Sequence, residues 1–246
     1  MTAGKWRPPM EAVVLAGGLG TRLRAAVPDL PKPMAPVDGR PFLEHQFDYW
    51  IDQGVARFVL SLGYRPDAFV NHFGDAYRGA EIAYAVEPHP LGTGGGVLLA
   101  TTHLKGQDAF LVLNGDTLGD VDLSVLMTRH RSSSAAMTLA LMRMPVGGRF
   151  SSVDVDADGR VLEFRESSHA ASPLVSAGVY VVERAFLGSL GWTGGDRFSM
   201  EAEGFPRMLQ RRERLFGCEA LTRFLDIGVP EDYYRAGEFI HNLRQK

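Results

Sequence analysis

Apolar and polar residues follow two different periods along the chain, and together these periods predict an α/β protein. Short buried strands are predicted by the apolar or alternating runs at 12–16, 58–62, 81–86 and 109–113. Helical spacing predicts helices at 42–53, 66–73 and 123–131, with a further helix opening at about Gly95. Strands that alternate with helices imply right-handed crossovers and a mostly parallel sheet, whose ligands gather beyond the carboxyl ends of the strands.

The pattern changes after residue 135 to strands that are separated by turns. Strands are predicted at 136–142, 152–155, 161–164 and 174–182, and the sequence DADGR at 156–160 predicts a hairpin turn. A short apolar helix is predicted around Phe205, and a strand that ends at Asp226 is followed by Pro230 at a favoured helix start. We expect these elements to join the same domain as the first half.

A glycine cluster follows the first strand and is followed in turn by cations. Gly17, Gly18 and Gly20 precede Arg22, and Lys32 lies between two prolines. Glycine lets the backbone approach a phosphate closely, and the unpaired N–H groups of such a turn bind anions. The pattern predicts a phosphate-binding loop, although glycine-rich turns after a first strand also occur without a nucleotide.

Two known nucleotide loops do not fit this cluster. A P-loop requires Lys-Ser/Thr after its final glycine, and here Thr21-Arg22 occupy that place. A dinucleotide fingerprint requires a third glycine where Leu23 stands, although Glu44 lies at an acceptable distance for its acid. This partial match disfavours a nicotinamide-dependent oxidoreductase and indicates a phosphate loop of another kind.

Composition excludes several other classes of protein. The 246 residues are 45% hydrophobic, enough for a full core, and the net charge of -3 argues against nucleic acid as a partner. The single cysteine, Cys218, excludes an internal disulfide. No signal peptide and no run of eighteen apolar residues is present. We therefore expect a cytoplasmic protein with no membrane partner.

Seven motifs give the chain a specific resemblance. In order they are LAGGLGTRLR, DLPKPMAPVDGRPFLEH, EPHPLGTGGG, LVLNGD, SAGVY, FSMEAEGFP and FLDIGVPEDY, and they span roughly residues 11–235. In spacing and order they resemble the sugar-1-phosphate nucleotidyltransferases, and within that family the D-glycero-alpha-D-manno-heptose 1-phosphate guanylyltransferases.

The resemblance implies both a fold and a reaction. The fold is a Rossmann-like, mostly parallel mixed sheet flanked by helices, the nucleotide-diphospho-sugar transferase or GT-A-like fold, without a left-handed β-helix tail. Residues 1–246 would form one domain, with a nucleotide-binding half at 1–135 and a sugar-binding half at 136–246 that also supplies a second metal ligand. The reaction is transfer of a nucleotidyl group, GMP from GTP being favoured, to a sugar 1-phosphate, in surface polysaccharide or glycan biosynthesis.

Several alternatives stay open at this point. The sugar could be mannose 1-phosphate, or the enzyme could be a uridylyl- or thymidylyltransferase for another sugar 1-phosphate. A non-catalytic subunit that binds nucleotide sugars is an alternative of another class. The sequence also leaves the oligomeric state open, with a homodimer as one option.

The resemblance assigns the nucleotide to the first half of the chain. Glu87 would face guanine, because a carboxylate has only acceptors and guanine presents two adjacent donors along one edge; a solvated glutamate after a strand is the competing interpretation. The residues expected to contact the nucleotide are Leu15, Ala16, Gly17, Gly18, Gly20, Thr21, Glu87, Gly92, Thr93, Asn114 and Gly115.

Two acids at strand ends are candidates for a Mg²⁺ site. Asp116 and Asp226 each follow a predicted strand, and a parallel sheet can bring such ends together; Mg²⁺ is held by one or two carboxylates with water and phosphate oxygens. Arg22 would hold the leaving pyrophosphate and Lys32 the α-phosphate, so that Arg22, Lys32 and Asp116 carry the chemistry. Asp120 and Asp122 are interpreted as helix-capping residues.

The sugar would be bound by the second half. The expected contacts are Glu166, Ser176, Gly178 and Glu201, although Gly178 also fits a strand residue that relieves crowding. The family usually places a Glu-Lys pair after the strand at 161–164, and here no lysine follows Glu166. Arg165 or Arg149 is therefore expected to hold the sugar phosphate.

Overall fold

The computed structural model describes residues 10–18, 20–24, 26–106, 108–145, 150–165, 172–193 and 195–245. Its strands are β1 (Met10–Leu15), β2 (Pro36–Val37), β3 (Arg40–Pro41), β4 (Val55–Leu62), β5 (Ala76–Tyr77), β6 (Ala80–Val86), β7 (Phe110–Asn114), β8 (Thr117–Gly119), β9 (Met137–Arg143), β10 (Ser152–Val155), β11 (Val161–Arg165), β12 (Leu174–Val182), β13 (Leu215–Glu219) and β14 (Phe224–Asp226).

The helices lie between these strands, mostly as crossovers. They are α1 (Phe42–Asp52), α2 (Pro66–Phe73), α3 (Gly92–Thr101), α4 (Leu123–Ser132), α5 (Arg184–Ser189), α6 (Phe205–Gln210), α7 (Pro230–Tyr234) and α8 (Ala236–Arg244). A 3₁₀ turn at Lys32–Met34 and a π-helical turn at Met200–Gly204 complete the described elements.

A mixed sheet forms the centre of the molecule. Its strands follow the order β11-β10-β12-β7-β1-β4-β6-β5, and β9 joins β12 to β13. The strands β7, β1, β4 and β6 run parallel, whereas β12 runs antiparallel to both β7 and β9. The expected mostly parallel sheet is therefore confirmed for the first half of the chain, and the second half adds strands that pair antiparallel except for β13, which runs parallel to β9.

Alternate residues of β1 point to opposite faces of the sheet, as the two-residue period of a strand requires. Val14 belongs to a core cluster with Phe47 of α1 and Leu126 of α4. Val13 belongs to another, with Val97 of α3 and Phe205 of α6. The sheet is thus covered by helices on both faces.

A third core cluster lies at the edge where the ligand is expected. It joins Leu23 of the glycine loop to Phe42 of α1, Ile227 after β14 and Ile240 of α8. The buried Leu23 side chain anchors the loop that carries Arg22. None of the helices in the described parts of the chain is long and apolar enough to cross a membrane.

Most predicted elements are confirmed, with one instructive shift. The hairpin of β10 and β11 around residues 156–160 has the expected antiparallel pairing. The third helix, expected to open at about Gly95, begins at Gly92. Glycines stay in this helix because there is no room for larger side chains: a Cβ on Gly94 would lie 2.0 Å from the Phe198 ring, and one on Gly95 2.2 Å from the Asp196 carbonyl oxygen. Low helix propensity is overridden by close packing.

Candidate active site

The carboxyl ends of the parallel strands β7, β1 and β6 assemble the candidate site, with β4 between β1 and β6. Leu15 at the end of β1 lies opposite Ser61 of β4 on one side and Asn114 of β7 on the other. Val86 at the end of β6 lies opposite Leu62 of β4. The glycine loop after β1, the acidic turn after β7 and the loop that begins with Glu87 therefore all start at one edge of the sheet.

Lys32 and Asp116 form an ion pair at this edge. The Lys32 ammonium donates to Asp116 Oδ2 at 2.5 Å, and the two side chains are only 14% and 27% exposed. Gly115 makes the approach possible, because a Cβ there would lie 2.8 Å from the Leu15 carbonyl oxygen and 3.2 Å from Pro33 Cγ. The glycine before the acid is thus required by packing against β1 and the Lys32–Met34 turn.

Asp226 is brought beside Asp116 by a two-stranded antiparallel ribbon. In the pairing of β14 with β8, Asp226 lies opposite Thr117, and the Ile227 N–H donates to the Asp116 carbonyl oxygen at 3.0 Å. The Gly228 N–H donates to Asp226 Oδ1 at 2.6 Å. The expectation that a parallel sheet unites the two acids was wrong, because Asp226 ends a ribbon strand that is antiparallel and separate from the main sheet.

The carboxylate oxygens of Asp116 and Asp226 are ligands that fit Mg²⁺. Two carboxylates at neighbouring backbone positions are hard oxygen ligands, and Mg²⁺ takes its other ligands from water and phosphate. Within the described residues no group of three or more His, Cys, Asp and Glu side chains is arranged to hold a metal.

The glycine loop carries its cation at the surface. Thr21 and Arg22 are exposed, whereas Leu23 between Arg22 and Arg24 is buried. Gly20 has a φ of +59°, a left-handed conformation that glycine adopts without strain, and Lys32 lies against it. The glycine loop thus packs against Lys32 through Gly20 and presents Arg22 to solvent.

Glu87 is held beneath the glycine loop. Its Oε1 accepts from the Ser61 hydroxyl at 3.1 Å, and its Oε2 accepts from the Leu91 N–H at 2.9 Å. A Cβ on Gly17 would lie 2.6 Å from Glu87 Oε1, and one on Gly96 3.1 Å from the same oxygen. The carboxylate is an integral part of the corner and not a solvated strand end, and each oxygen retains a lone pair for a ligand.

The other predicted nucleotide loop meets the predicted sugar segment. Thr93 donates from its hydroxyl to Glu201 Oε2 at 2.7 Å and accepts from the Met200 N–H at 2.8 Å. A Cβ on Gly92 would lie 2.6 Å from the Phe198 carbonyl oxygen. The start of α3 and the π-helical turn are therefore locked together, and Glu201 lies on the nucleotide-side loop and not apart from it.

Ser176 and Gly178 lie in an irregular part of β12. The pairing of β12 with β9 shifts register between Ser176 and Tyr180, and Gly178 has a φ of +68°. A Cβ on Gly178 would lie 2.5 Å from Asn114 Nδ2, so this glycine does relieve crowding, and it places β12 directly against the strand end that precedes Asp116. Burial raises the pKa of the Tyr180 phenol, and the charge of Glu201 raises it further.

The cation for the sugar phosphate is not identified by these contacts. Glu166 and Arg149 lie outside the described residues. Arg165 pairs with Asp154 at 2.9 Å and with Glu163 at 2.6 Å on the outermost strands of the sheet. Its guanidinium is therefore committed to neighbouring carboxylates at the sheet edge.

The two acids interpreted as helix caps behave differently. Asp122 does cap α4, accepting from the Ser124 and Val125 N–H groups. Asp120 does not; its carboxylate accepts from the Thr222 and Arg223 N–H groups at 2.7 and 2.9 Å, which fastens the end of β8 to the start of β14. Burial opposes ionisation of Asp120, but these hydrogen bonds outweigh it and lower its pKa from 3.8 to about 2.

The sequence interpretation missed a polar residue behind the acidic turn. Gln46 lies on the apolar face of α1, three residues after Leu43, and is only 2% exposed. Its amide donates to the Asn114 and Thr117 carbonyl oxygens at 2.8 and 2.7 Å. The signal was present, since a polar residue at a core position of an amphipathic helix requires a buried partner.

Comparisons with known proteins find a matching family and similar enzymes. The family model described as nucleotidyl transferase matches residues 11–242. The chain is 37% identical over 227 residues to the D-glycero-alpha-D-manno-heptose 1-phosphate guanylyltransferase of Aneurinibacillus thermoaerophilus, covering 92% of this chain and 96% of that protein. It is 38% identical over 229 residues to the mannose-1-phosphate guanylyltransferase of Mycobacterium tuberculosis, covering 92% of this chain and 63% of that protein.

A solved structure gives the same result. HddC from Yersinia pseudotuberculosis superposes with a TM-score of 0.80 at 32% identity, covering 93% of this chain and 98% of that one. A further structure of HddC, complexed with GMP-PN, superposes with a TM-score of 0.76. The chain belongs to the nucleotidyl transferase family.

Proposed function

We propose that this protein transfers GMP from GTP to D-glycero-alpha-D-manno-heptose 1-phosphate, which yields a GDP-sugar and pyrophosphate. The observation that carries the proposal is the ion pair between Lys32 Nζ and Asp116 Oδ2 at 2.5 Å. Asp226 lies beside Asp116 in the ribbon of β8 and β14. The choice of guanine and heptose is supported by the relative from Aneurinibacillus thermoaerophilus, whose whole length this chain nearly covers.

In this reaction a sugar-phosphate oxygen attacks the α-phosphorus of GTP. A bond forms between that oxygen and phosphorus, the bond to the β-phosphate oxygen breaks, and pyrophosphate leaves with the electron pair. The second pKa of a phosphate monoester is about 6, so the nucleophile is already ionised at neutral pH. The protein therefore needs no general base, and its task is alignment and charge neutralisation.

Lys32 and Arg22 provide that neutralisation in the proposal. The Lys32 ammonium has three N–H donors, so it can reach a phosphate oxygen while one donor stays on Asp116. Arg22 is exposed on the glycine loop and offers a planar guanidinium to the leaving pyrophosphate. Asp116 and Asp226 would hold Mg²⁺, which when bound offsets negative charge on the phosphates.

Glu87 would select the base. A guanine edge presents two donors, and the Glu87 carboxylate lies beneath the glycine loop with an acceptor lone pair left on each oxygen. Ser176, Gly178 and Glu201, together with Glu166, are proposed for the sugar. The proposed nucleoside triphosphate substrate is consistent with the cytoplasmic location expected from the sequence. A homodimer remains part of the proposal only as an option.

Mannose 1-phosphate is the second candidate for the sugar. The 38% identity to the mannose-1-phosphate guanylyltransferase of Mycobacterium tuberculosis supports it. The reaction, the base and the proposed roles of Lys32, Asp116 and Asp226 would be the same. Only the sugar-facing contacts would differ.

A pyrophosphate-release screen tests both candidates. GTP, ATP, UTP, CTP and dTTP are each combined with the heptose, mannose and glucose 1-phosphates in the presence of Mg²⁺. The proposal expects the highest kcat/KM with GTP and the heptose. A higher value with mannose 1-phosphate would transfer the proposal to the second candidate, and release with no pair would refute nucleotidyl transfer.

A further inference from the structure

The acidic turn after β7 is hydrogen-bonded from behind by the neutral side chain of Gln46, which is not one of the predicted ligand-binding residues. Gln46 lies in the middle of α1 and is 2% exposed. Both hydrogen bonds of its amide nitrogen go to the turn: one to the Asn114 carbonyl oxygen at 2.8 Å and one to the Thr117 carbonyl oxygen at 2.7 Å. These two carbonyls flank Gly115 and Asp116.

The two acceptors fix the orientation of the amide. If the Gln46 oxygen faced the turn, it would oppose two carbonyl oxygens, so only the nitrogen can occupy this position. The Gln46 oxygen has no protein partner among the described residues. One polar atom of the Gln46 side chain is therefore unsatisfied by the described residues. The residue stabilises the turn through the two hydrogen bonds that its amide nitrogen donates.

No other described side chain spans the turn in the same way. The Thr117 hydroxyl donates to the Asn114 and Ala177 carbonyl oxygens, both at the longer distance of 3.3 Å. The Gly115 N–H donates to the Leu15 carbonyl oxygen on the β1 side. Gln46 thus joins the two ends of the turn to α1, whereas the other hydrogen bonds named here join the turn to itself, to β12 and to β1, and the Asp116 carbonyl oxygen accepts from Ile227 after β14.

From this geometry we infer that Gln46 is a positioning residue, which holds the Asn114–Thr117 backbone so that Asp116 keeps its place beside Lys32 and Asp226. The inference deepens the proposed function and rests on it for its kinetic readout. A small displacement of a catalytic group is costly: about 1 Å can lower a rate on the order of 10²-fold. Loss of the two bonds should therefore lower kcat, whereas the glycine loop, which is anchored elsewhere by Leu23, should keep its predicted contacts with the nucleotide.

Three variants test this role. Gln46→Met keeps the size and removes both donors. Gln46→Glu keeps the shape, and its carboxyl can donate one hydrogen bond only when protonated. Gln53→Met is the matched control, because Gln53 follows the same helix and accepts from the Leu123 N–H at 2.8 Å, a contact between a side chain and the backbone away from the site.

Hydrogen exchange of the ligand-free proteins comes first, since it does not depend on the reaction. The amides of residues 114–118 should exchange at least ~10-fold faster in Gln46→Met than in wild type, and at the wild-type rate in Gln53→Met. Equal protection of this segment in the two variants would overturn the inference. This readout remains valid even if the wild type proves inactive with every sugar phosphate, a result that would refute the proposed function alone.

Kinetics separates positioning from a general loss of stability. Gln46→Met should lower kcat by roughly 10- to 100-fold with the KM for GTP within about threefold of wild type.

In Gln46→Glu, the ratio of variant to wild-type kcat should rise as the pH falls, because a buried carboxyl that faces two carbonyls is driven towards its protonated, donating form. A wild-type kcat in Gln46→Met, or a ratio that does not change with pH in a folded Gln46→Glu, would contradict the role. If Gln46→Met does not fold, the pH ratio of Gln46→Glu decides.

Discussion

Asp116 and Asp226 are joined through backbone hydrogen bonds, and Lys32 reaches Asp116 through its side chain, whereas Thr93 and Glu201 meet through their side chains. In the first region, which we call the phosphate corner, the Ile227 N–H bonds the Asp116 carbonyl and the ribbon pairs Asp226 with Thr117. In the second, which we call the sugar-facing region because Glu201 is proposed to contact the sugar, a threonine hydroxyl and a glutamate carboxylate form the link at 2.7 Å.

The difference matches what each region has to do. Charge neutralisation of a triphosphate needs the same atoms in the same places for every sugar, and backbone register fixes them. Recognition of a sugar needs hydroxyl-specific contacts, and side-chain contacts can change without disturbing the strands behind them. We therefore expect substitutions in the phosphate corner to abolish the reaction and substitutions in the sugar-facing region to change mainly its substrate preference.

The largest effect is expected from removal of either strand-end acid. Asp116→Ala or Asp226→Ala should lower kcat by roughly 10³-fold or more, since charge stabilisation by a bound metal is worth several kcal/mol. Circular dichroism should show an intact fold. Asp122→Asn is the control, because asparagine caps a helix about as well as aspartate. Undiminished rates in saturating Mg²⁺ would remove the metal assignment.

Loss of the cation partner should be the next largest effect. Lys32→Ala removes one preorganised positive charge and should lower kcat/KM by at least ~10²-fold. Lys105→Ala, which removes an exposed lysine paired with Glu81, should have no effect on the rate. If the two variants lose the same amount of activity, Lys32 has no special role at the phosphate corner.

Gly17 and Gly18 are adjacent in the glycine loop, but they differ in how closely other atoms approach them. A Cβ on Gly17 would lie 2.6 Å from Glu87 Oε1, whereas one on Gly18 meets nothing within 4 Å. Gly17→Ala should therefore lower the free energy of unfolding by about 1–3 kcal/mol, the usual cost of overpacking. Gly18→Ala should leave it within about 0.5 kcal/mol of wild type. Urea unfolding measures both, and equal stabilities would contradict the position of Glu87.

The ribbon that carries Asp226 should respond to pH through Asp120. The pKa of this carboxyl falls from 3.8 to about 2 in the folded protein, so its contribution to stability is complete above about pH 4 and is lost as the pH falls towards 2. Asp120→Asn should cost about 1–2 kcal/mol at pH 7, after allowance for solvent screening, and less at pH 3.

The control for Asp120 is Asp52→Asn, because the ion pair between Asp52 and Arg78 is exposed. Its free energy of unfolding should stay within about 0.5 kcal/mol of wild type. Urea unfolding at pH 7 and pH 3 compares the two variants. A cost for Asp120→Asn that is the same at both pH values would show that ionisation of Asp120 does not stabilise the ribbon.

The smallest effect is expected in the sugar-facing region. Glu201→Gln weakens the hydrogen bonds that Glu201 accepts from Thr93 and Ser199, which should raise the KM for the sugar phosphate about fivefold, or about 1 kcal/mol. The KM for GTP should change less than the KM for the sugar phosphate, because Thr93 is the predicted nucleotide contact and keeps its bond to the Met200 N–H. Glu203→Gln is the control, because Glu203 accepts from the Ser199 N–H and not from the predicted nucleotide contact Thr93. A larger effect on GTP than on the sugar would contradict the division into two regions.

The sequence was most informative where local periodicity and motif spacing agree. The central parallel strands, the β10–β11 hairpin and the Asp122 cap were all predictable, since each depends on residues close together in the chain. The nucleotide-transfer chemistry was predictable because the glycines, cations and acids lie in short motifs.

Long-range pairing was harder to predict. Asp116 and Asp226 were expected to meet, but no local signal reveals that an antiparallel ribbon brings them together. Asp120 was mistaken for a cap because its partners, Thr222 and Arg223, lie about a hundred positions later. The glycines of α3 disfavour a helix by their propensity. The Phe198 ring and the Asp196 carbonyl oxygen explain why they lie in one, because they occupy the space that larger side chains would need.

Isotope exchange tests the central claim most directly. Wild type is incubated with the GDP-heptose, labelled pyrophosphate and Mg²⁺, and GTP is isolated and counted. Our account predicts label in GTP with wild type and almost none with Asp116→Ala, because the reverse reaction needs the same phosphate corner. A protein that binds the nucleotide sugar yet puts no label into GTP would be a non-catalytic binding subunit, and that result would contradict the account.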